Sequence, residues 1–184
     1  MGHAKLKAVA KLELLKLDLG CGKNKQPGFI GVDSREFEGV DKVYDLRLKW
    51  PWKESSVEEV HCSHFIEHLD SDARIHFVNE LYRVLHPAGK ATIIVPHWAS
   101  GRAYGDLTHQ WPPISEFWFY YLSREWREQN AAHNDGYSCD MDVTWGYKLN
   151  PALDGRNPEY QQHAIMFFKE AALDMIATFK PKGK

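Results

Sequence analysis

Two glycines one residue apart, Gly20 and Gly22, close an apolar run that carries Asp18. A residue without a Cβ takes φ > 0 and lets backbone approach a ligand closely. Asp33 follows at the end of the next apolar run and Asp45 at the end of the one after. A carboxylate at such a terminus accepts both hydroxyl hydrogens of a ribose, and one placed further along contacts a base edge. A glycine cradle, a ribose acceptor and a base contact together describe a site for a nucleoside-containing cofactor. A pyrophosphate fits less well. The third position of a G-x-G-x-x-G pattern is Lys25, Pro27-Gly28 falls where the phosphate-binding helix would run, and no Walker A lysine is present.

These residues need strand ends to hold them. Leu14–Leu19, Phe29–Asp33, Val40–Leu46 and Val57–Ser63 are short runs, two ending in a polar or acidic residue and a third carrying Asp45 beside its end, which reads as four strands. Asp72–Leu85 carries Ile75, Val78, Leu81, Tyr82 and Leu85 at helical spacing, and Pro87-Ala88-Gly89 stops it. Lys90–Pro96 is rich in β-branched residues and suits a buried central strand. Ser115–Ala132 is expected as a helix with Ser115 at its N-cap, Asp140–Tyr147 and His163–Lys169 as two closing strands, and residues 170–180 as a terminal helix or tail. Apolar strands with acidic ends are the pattern of an open α/β sheet, which binds ligands at the carboxyl ends of its strands.

The chain resembles the class I S-adenosylmethionine-dependent methyltransferases, specifically their small type-11-like branch. The resemblance rests on six segments in order: Leu17–Gly22, Gly31-Val32-Asp33, Val43–Leu46, Ser63–Leu69, Glu80–Gly89 and Ile93–Pro96. It covers roughly residues 14–120 and implies S-adenosyl-L-methionine as cofactor. It also implies a Rossmann-like, mainly parallel seven-stranded sheet in the order 3-2-1-4-5-7-6, with a C-terminal antiparallel hairpin and an aromatic lid after strand five. The family's pattern would have Asp18 and the backbone of Gly20, Cys21 and Gly22 hold the methionine part of the cofactor. Asp33 would bind the ribose, Asp45 and Leu46 would flank the adenine, and His64 would line the methionine side. Two departures stand out. Ala88 replaces a glycine of the turn after the first helix, and only Lys23–Phe29 separates the glycine turn from the second strand. That is too short for an ordinary crossover helix.

The segment after the fifth strand holds nine of the chain's 24 aromatic residues between positions 97 and 126. It follows the end of a central strand, so it is expected to hang over the cofactor and build an acceptor site. Gly105–Gln110 lies within it and resembles a D-P-T-H element of the same branch, with Leu107 in place of the proline. Tyr104, Asp106 and His109 are the candidate catalytic or polar contacts. His109 reads equally as a loop cross-link, and His97 as either a wall of the site or a structural hydrogen bonder. Phe117, Trp118 and Tyr121 read mainly as core, and Cys21 as a packed small residue. His61, His64 and His68 raise the question of a metal. His64–His68 spells H-F-I-E-H, not H-E-x-x-H, so no metal is expected and Glu67-His68 reads as a helix start.

Composition narrows the function classes. The 184 residues fit one domain over 1–184, with an N-terminal extension over 1–12 and a lid or acceptor region over 97–136. A formal net charge of −2 supplies no basic field, so nucleic acid is disfavoured as a partner and a small-molecule acceptor is preferred. No apolar run approaches a membrane span. Cys21, Cys62 and Cys139 read as reduced thiols, which with the absence of a leader pattern predicts a cytoplasmic location. Two rivals remain: a non-catalytic module that holds S-adenosylmethionine or S-adenosylhomocysteine and offers its aromatics to a partner, and a nucleotide-dependent oxidoreductase, against which Lys25 argues.

Overall fold

The computed structural model describes residues 14–184. The expected extension over 1–12 lies outside them. The strands are β1 (Leu15–Leu19), β2 (Ile30–Asp33), β3 (Lys42–Val43), β4 (Val57–Ser63), β5 (Leu85–Pro96), β6 (Met141–Leu149) and β7 (Ala172–Pro181). The helices are α1 (Ser71–Val84), α2 (Arg102–Gly105), α3 (Glu116–Tyr120), α4 (Arg124–Asn130) and α5 (Pro158–Phe167). All seven strands form one sheet in the order β3-β2-β1-β4-β5-β7-β6. The pairs from β3 to β5 are parallel, and β7 runs antiparallel to both β5 and β6. The expected topology is therefore present.

Two expectations near the C-terminus fail. Residues 163–167 belong to a helix, and the residues expected as a terminal helix or tail form β7. The helix signal lies upstream of the misread segment. The Asn157 side chain caps the first turn by accepting from the Tyr160 N–H at 2.8 Å, and Pro158 takes the first helical position. Ala172–Pro181 has modest strand propensity, but it lies between β5 and β6 and pairs with both. Burial of Met175, Ala177 and Phe179 on one face outweighs local preference. Two further corrections are smaller. The expected helix over 115–132 is broken, because the Ser123 side chain starts a new one by accepting from the Trp126 N–H at 3.4 Å. The third strand shortens to two residues.

The core gathers where the sheet meets α1. Phe77, Val78, Leu81 and Val84 are fully buried on that helix, and Trp50 packs edge-on against Phe77 with ring centroids 5.2 Å apart. Each such side chain contributes about 1.5–3 kcal/mol through removal from water. Phe119 of α3 packs against Phe179 of β7 at 5.8 Å, which anchors the aromatic segment to the sheet.

The short β1–β2 crossover contains no helix. Asp18 replaces one: its Oδ2 accepts from the Gln26 N–H at 2.7 Å, while Lys25 reaches Asp41 at 2.8 Å. Leu17, Asp18 and Leu19 still pair in parallel with Ile30, Gly31 and Val32.

Candidate active site at the carboxyl ends of the strands

The ends of β1, β2 and β4 converge. Gly20 donates its N–H to the Val32 carbonyl at 2.8 Å, and the Gly22 N–H donates to Asp33 Oδ2 at 3.0 Å. Asp33 Oδ1 accepts from the Arg35 N–H at 3.0 Å. The glycine turn and the β2 acid are thus tied to each other. Both glycines sit at positive φ, +70° for Gly20 and +52° for Gly22, but for different reasons. A Cβ on Gly20 would stand 2.4 Å from Cγ of Phe65, so glycine there makes room for that ring. A Cβ on Gly22 would meet nothing within 4 Å, so its face of the turn is open.

Phe65 carries the geometry onward. With Ser34, Asp45, Leu46, His68 and Leu69 it bounds a cavity of about 240 Å³. Asp45 is held there by Arg47, whose side chain forms a two-pronged pair with it, the shorter contact being 2.7 Å. That hydrogen bonding and charge hold the Asp45 carboxyl below the usual carboxylate range. Leu46 is buried, and its carbonyl accepts from the Trp50 indole at 3.0 Å. Asp45 lines this cavity together with Ser34, the neighbour of Asp33, and Phe65, which packs against Gly20; Asp33 and the two glycines adjoin its lining and are not part of it.

Asp18, which the resemblance assigns to the methionine part of the cofactor, bonds protein groups in this structure. It is buried, and its second oxygen pairs with His61 Nδ1 at 2.7 Å. Both oxygens are committed to protein groups, so Asp18 props the turn from behind. Cys21 is packed beneath Gly31, and burial, with Asp18 and Asp33 adding to it, pushes its thiol up to about 11. It is no nucleophile at neutral pH.

His64 follows the last residue of β4 with φ +53°, a conformation uncommon outside glycine. Its N–H bonds the Ile94 carbonyl at 2.9 Å, and its half-exposed ring lies 3.2 Å from Glu67 Oε1. The Glu67 bond raises the His64 pKa, with burial opposing it. Its other nitrogen faces Asp174 at 4.0 Å, a buried β7 acid paired with Arg102 at 3.0 Å.

The three catalytic candidates share one stretch of chain, the His109 N–H donating to the Asp106 carbonyl at 3.1 Å. Of the three, Tyr104 borders a groove of about 470 Å³ with Trp98, Trp111, Pro112, Glu116 and Phe117. Asp106 does not border it. Its Oδ1 accepts from both the N–H and the hydroxyl of Thr108, at 2.8 and 2.7 Å, and these bonds lower its pKa. His109 lies against His68, ring centroids 4.7 Å apart, and its Nδ1 is 3.2 Å from the Ala103 carbonyl. His97 proves to be the structural bonder. It is buried, its Nδ1 accepts from the Ala99 N–H, and its Nε2 therefore donates to Glu116 at 2.9 Å.

Sequence reasoning missed three groups. Glu116 receives hydrogen bonds from His97, from the Trp98 indole and from the Tyr147 hydroxyl, each at 2.9–3.0 Å. Buried Arg74 donates to the carbonyls of Ile66, Glu67, Gln110 and Pro112, pinning the aromatic segment to the β4 side. Asp174 sits on a strand read as a tail. Only Arg74 had a signal, an arginine on the otherwise apolar face of a helix. A second cleft of about 390 Å³, lined by Arg74, Ile75, Ile114, Trp118 and Tyr137 among others, touches none of the strand-end residues.

No protein-family model matches the sequence, and no curated protein is recognisably similar to it. Solved structures do match the fold. One is a SAM-dependent methyltransferase from Archaeoglobus fulgidus, with a TM-score of 0.64 at 18% identity over 91% of this chain and 86% of that one. A SAM-dependent methyltransferase from Methanosarcina mazei matches with a TM-score of 0.56 at 13% identity over 93% of both chains. The small RNA methyltransferase HEN1 matches with a TM-score of 0.53 at 12% identity over 95% of this chain but 24% of that one. The fold is thus the Rossmann-like fold of class I methyltransferases.

Proposed function

We propose that the chain is an S-adenosylmethionine-dependent methyltransferase acting on a small-molecule acceptor. The observation that carries the reading is the bond from the Gly22 N–H to Asp33, which joins the open glycine turn to a strand-end acid beside the Asp45–Leu46 cavity. The residues present suit the cofactor: a left-handed glycine with free space at its Cβ position, a carboxylate with lone pairs left for two ribose hydroxyls, and an apolar wall of Leu46 and Phe65 for a base.

When bound, S-adenosylmethionine supplies a methyl group already activated on a sulfonium. The protein's work is alignment and exclusion of water. Asp33 would fix the ribose, Asp45 and the Leu46 backbone would flank the base, and the Gly20–Gly22 backbone with His64 would border the methionine end. Asp18 acts one layer behind, by holding the Gln26 loop that shapes the turn. The aromatic groove at Tyr104 would take a planar or apolar acceptor, with the Tyr104 hydroxyl as its polar contact.

The test has two stages. Thermal shift with S-adenosylmethionine, S-adenosylhomocysteine and NAD reads the cofactor, and stabilisation by NAD alone overturns the reading. Transfer of a radiolabelled methyl to a pool of metabolites and of short RNAs reads the acceptor. Label entering RNA alone removes the small-molecule assignment, and cofactor binding with no transfer to any pool returns the chain to the rival binding module.

A further inference from the structure

We propose that Glu67, His68 and His109 bind a single divalent transition-metal ion, joining the turn after β4 to the loop between α2 and α3. The first observation is the cluster itself: one ligand atom from each residue lies within 4.8 Å of the others. The second is independent of it. Glu67 is 4 % exposed, and its Oε2 is a buried side-chain oxygen with no hydrogen-bond partner among the described residues. A buried charged oxygen without a donor is costly, and a cation would remove that cost. Oε1 is engaged by His64, so Oε2 is the oxygen left over.

The hydrogen bonds around the two imidazoles settle which nitrogens are free. The Ala103 carbonyl only accepts, so His109 Nδ1 carries the proton that bonds it at 3.2 Å. The Thr108 hydroxyl gives its hydrogen to the Asp106 carboxylate at 2.7 Å, so it accepts from His68 Nδ1 at 2.9 Å. In the neutral ring of each histidine the lone pair is therefore on Nε2. A metal-bound imidazole ordinarily has its other nitrogen bonded to a carbonyl, carboxylate or similar acceptor, which fixes ring and tautomer. Both rings already have that outer contact, and Asp106 acts on His68 through Thr108 as a positioning residue.

Two imidazoles and one carboxylate suit zinc, iron, manganese or cobalt better than the all-oxygen preference of calcium. Ligand atoms around an ion at about 2.1 Å stand about 3–3.5 Å apart, so closure draws the three residues together by about an ångström. Arg74 and the Gln110 N–H tie the loop that carries His109 to the turn that carries Glu67 and His68, so closure is a short adjustment of side chains already held together. This site departs from the sequence reading, which expected no metal. That reading sought ligands one helical turn apart, whereas here the third ligand arrives from another loop.

Titration of the chelator-treated full-length protein with cobalt(II) chloride, without nucleoside, followed by d–d absorption and calorimetry, tests the site. One saturable equivalent is expected, with affinity at least tenfold weaker in His68→Ala, in His109→Ala and in Glu67→Gln. The exposed control His133→Ala should bind like the unaltered protein. Circular dichroism confirms that each variant is folded; should Glu67→Gln not fold, the two histidine variants carry the test. No saturable binding, or equal affinity in the His68→Ala/His109→Ala double variant, overturns the proposal. S-adenosylhomocysteine binding is measured on the same samples without cobalt, so failure of the metal site and failure of the cofactor reading are read separately.

Discussion

Replacing Asp33 with alanine separates its architectural role from its cofactor role. In the folded chain its carboxylate accepts from the Gly22 N–H and the Arg35 N–H, both at 3.0 Å. The Gly22 bond is partly shielded and charge-assisted, worth about 1.5–3 kcal/mol, and the exposed Arg35 bond adds less. The expected loss of stability is about 2–3 kcal/mol, or roughly 5–10 °C in Tm for a chain of this size. Cofactor binding loses more. Two ribose hydroxyls bonded to a carboxylate contribute about 1.5–3 kcal/mol each, so affinity should fall about 10²- to 10⁴-fold. Calorimetric titration with S-adenosylhomocysteine, well below the variant's Tm, measures this. Asp33→Asn keeps one good acceptor and should fall between alanine and the unaltered protein. Affinity within threefold of the unaltered protein, in a folded Asp33→Ala variant, would refute the assignment of Asp33 to the ribose.

The two turn glycines should respond differently to alanine. Gly22→Ala costs only the left-handed strain of about 1–2 kcal/mol, whereas Gly20→Ala adds overpacking against Phe65 and should lose about 2–5 kcal/mol in urea unfolding; a smaller loss at Gly20 than at Gly22 would disprove the Phe65 contact. Arg74→Leu removes a charged donor from four carbonyls, of which Ile66 keeps the Leu69 N–H and Glu67 the Gln110 N–H. It should cost about 3 kcal/mol or more and speed chymotryptic cleavage within residues 104–113. Acid should loosen the Glu116 cluster. Burial opposes ionisation there, but the hydrogen bonds from His97, its own backbone and Tyr147 prevail and hold the folded pKa below the ordinary 4.5. That contribution is fully present above pH 4.5 and disappears as pH falls through the lower folded value, so Glu116→Gln should flatten the pH dependence of unfolding free energy below that point.

Much of the sheet was legible because its signals are local. Val57–Ser63 matches β4 residue for residue, and the periodicity over Asp72–Leu85 lies within one residue of α1 at each end. Apolar runs that stop at Asp33 or at Gly20 mark strand ends whatever surrounds them. The C-terminal hairpin was not legible. Its last strand is stabilised by partners on both sides, and no run of alternating residues announces that from within Ala172–Pro181.

The sequence alone determined which residues end or closely follow the strands: Gly20, Gly22, Asp33 and His64 adjoin strand ends, and Asp45 lies two residues past the shortened β3. What each group does depended on neighbours distant in sequence, and only the tertiary structure decided it. Asp18 and Asp33 are both acids beside one glycine turn, yet the first is buried against Gln26 and His61 while the second is left partly open. Glu67, His68 and His109 meet because Arg74 and Gln110 draw a later loop onto the β4 turn. A carboxylate has the same chemistry everywhere in a chain; burial and the donors that reach it assign its task, and both are set by packing.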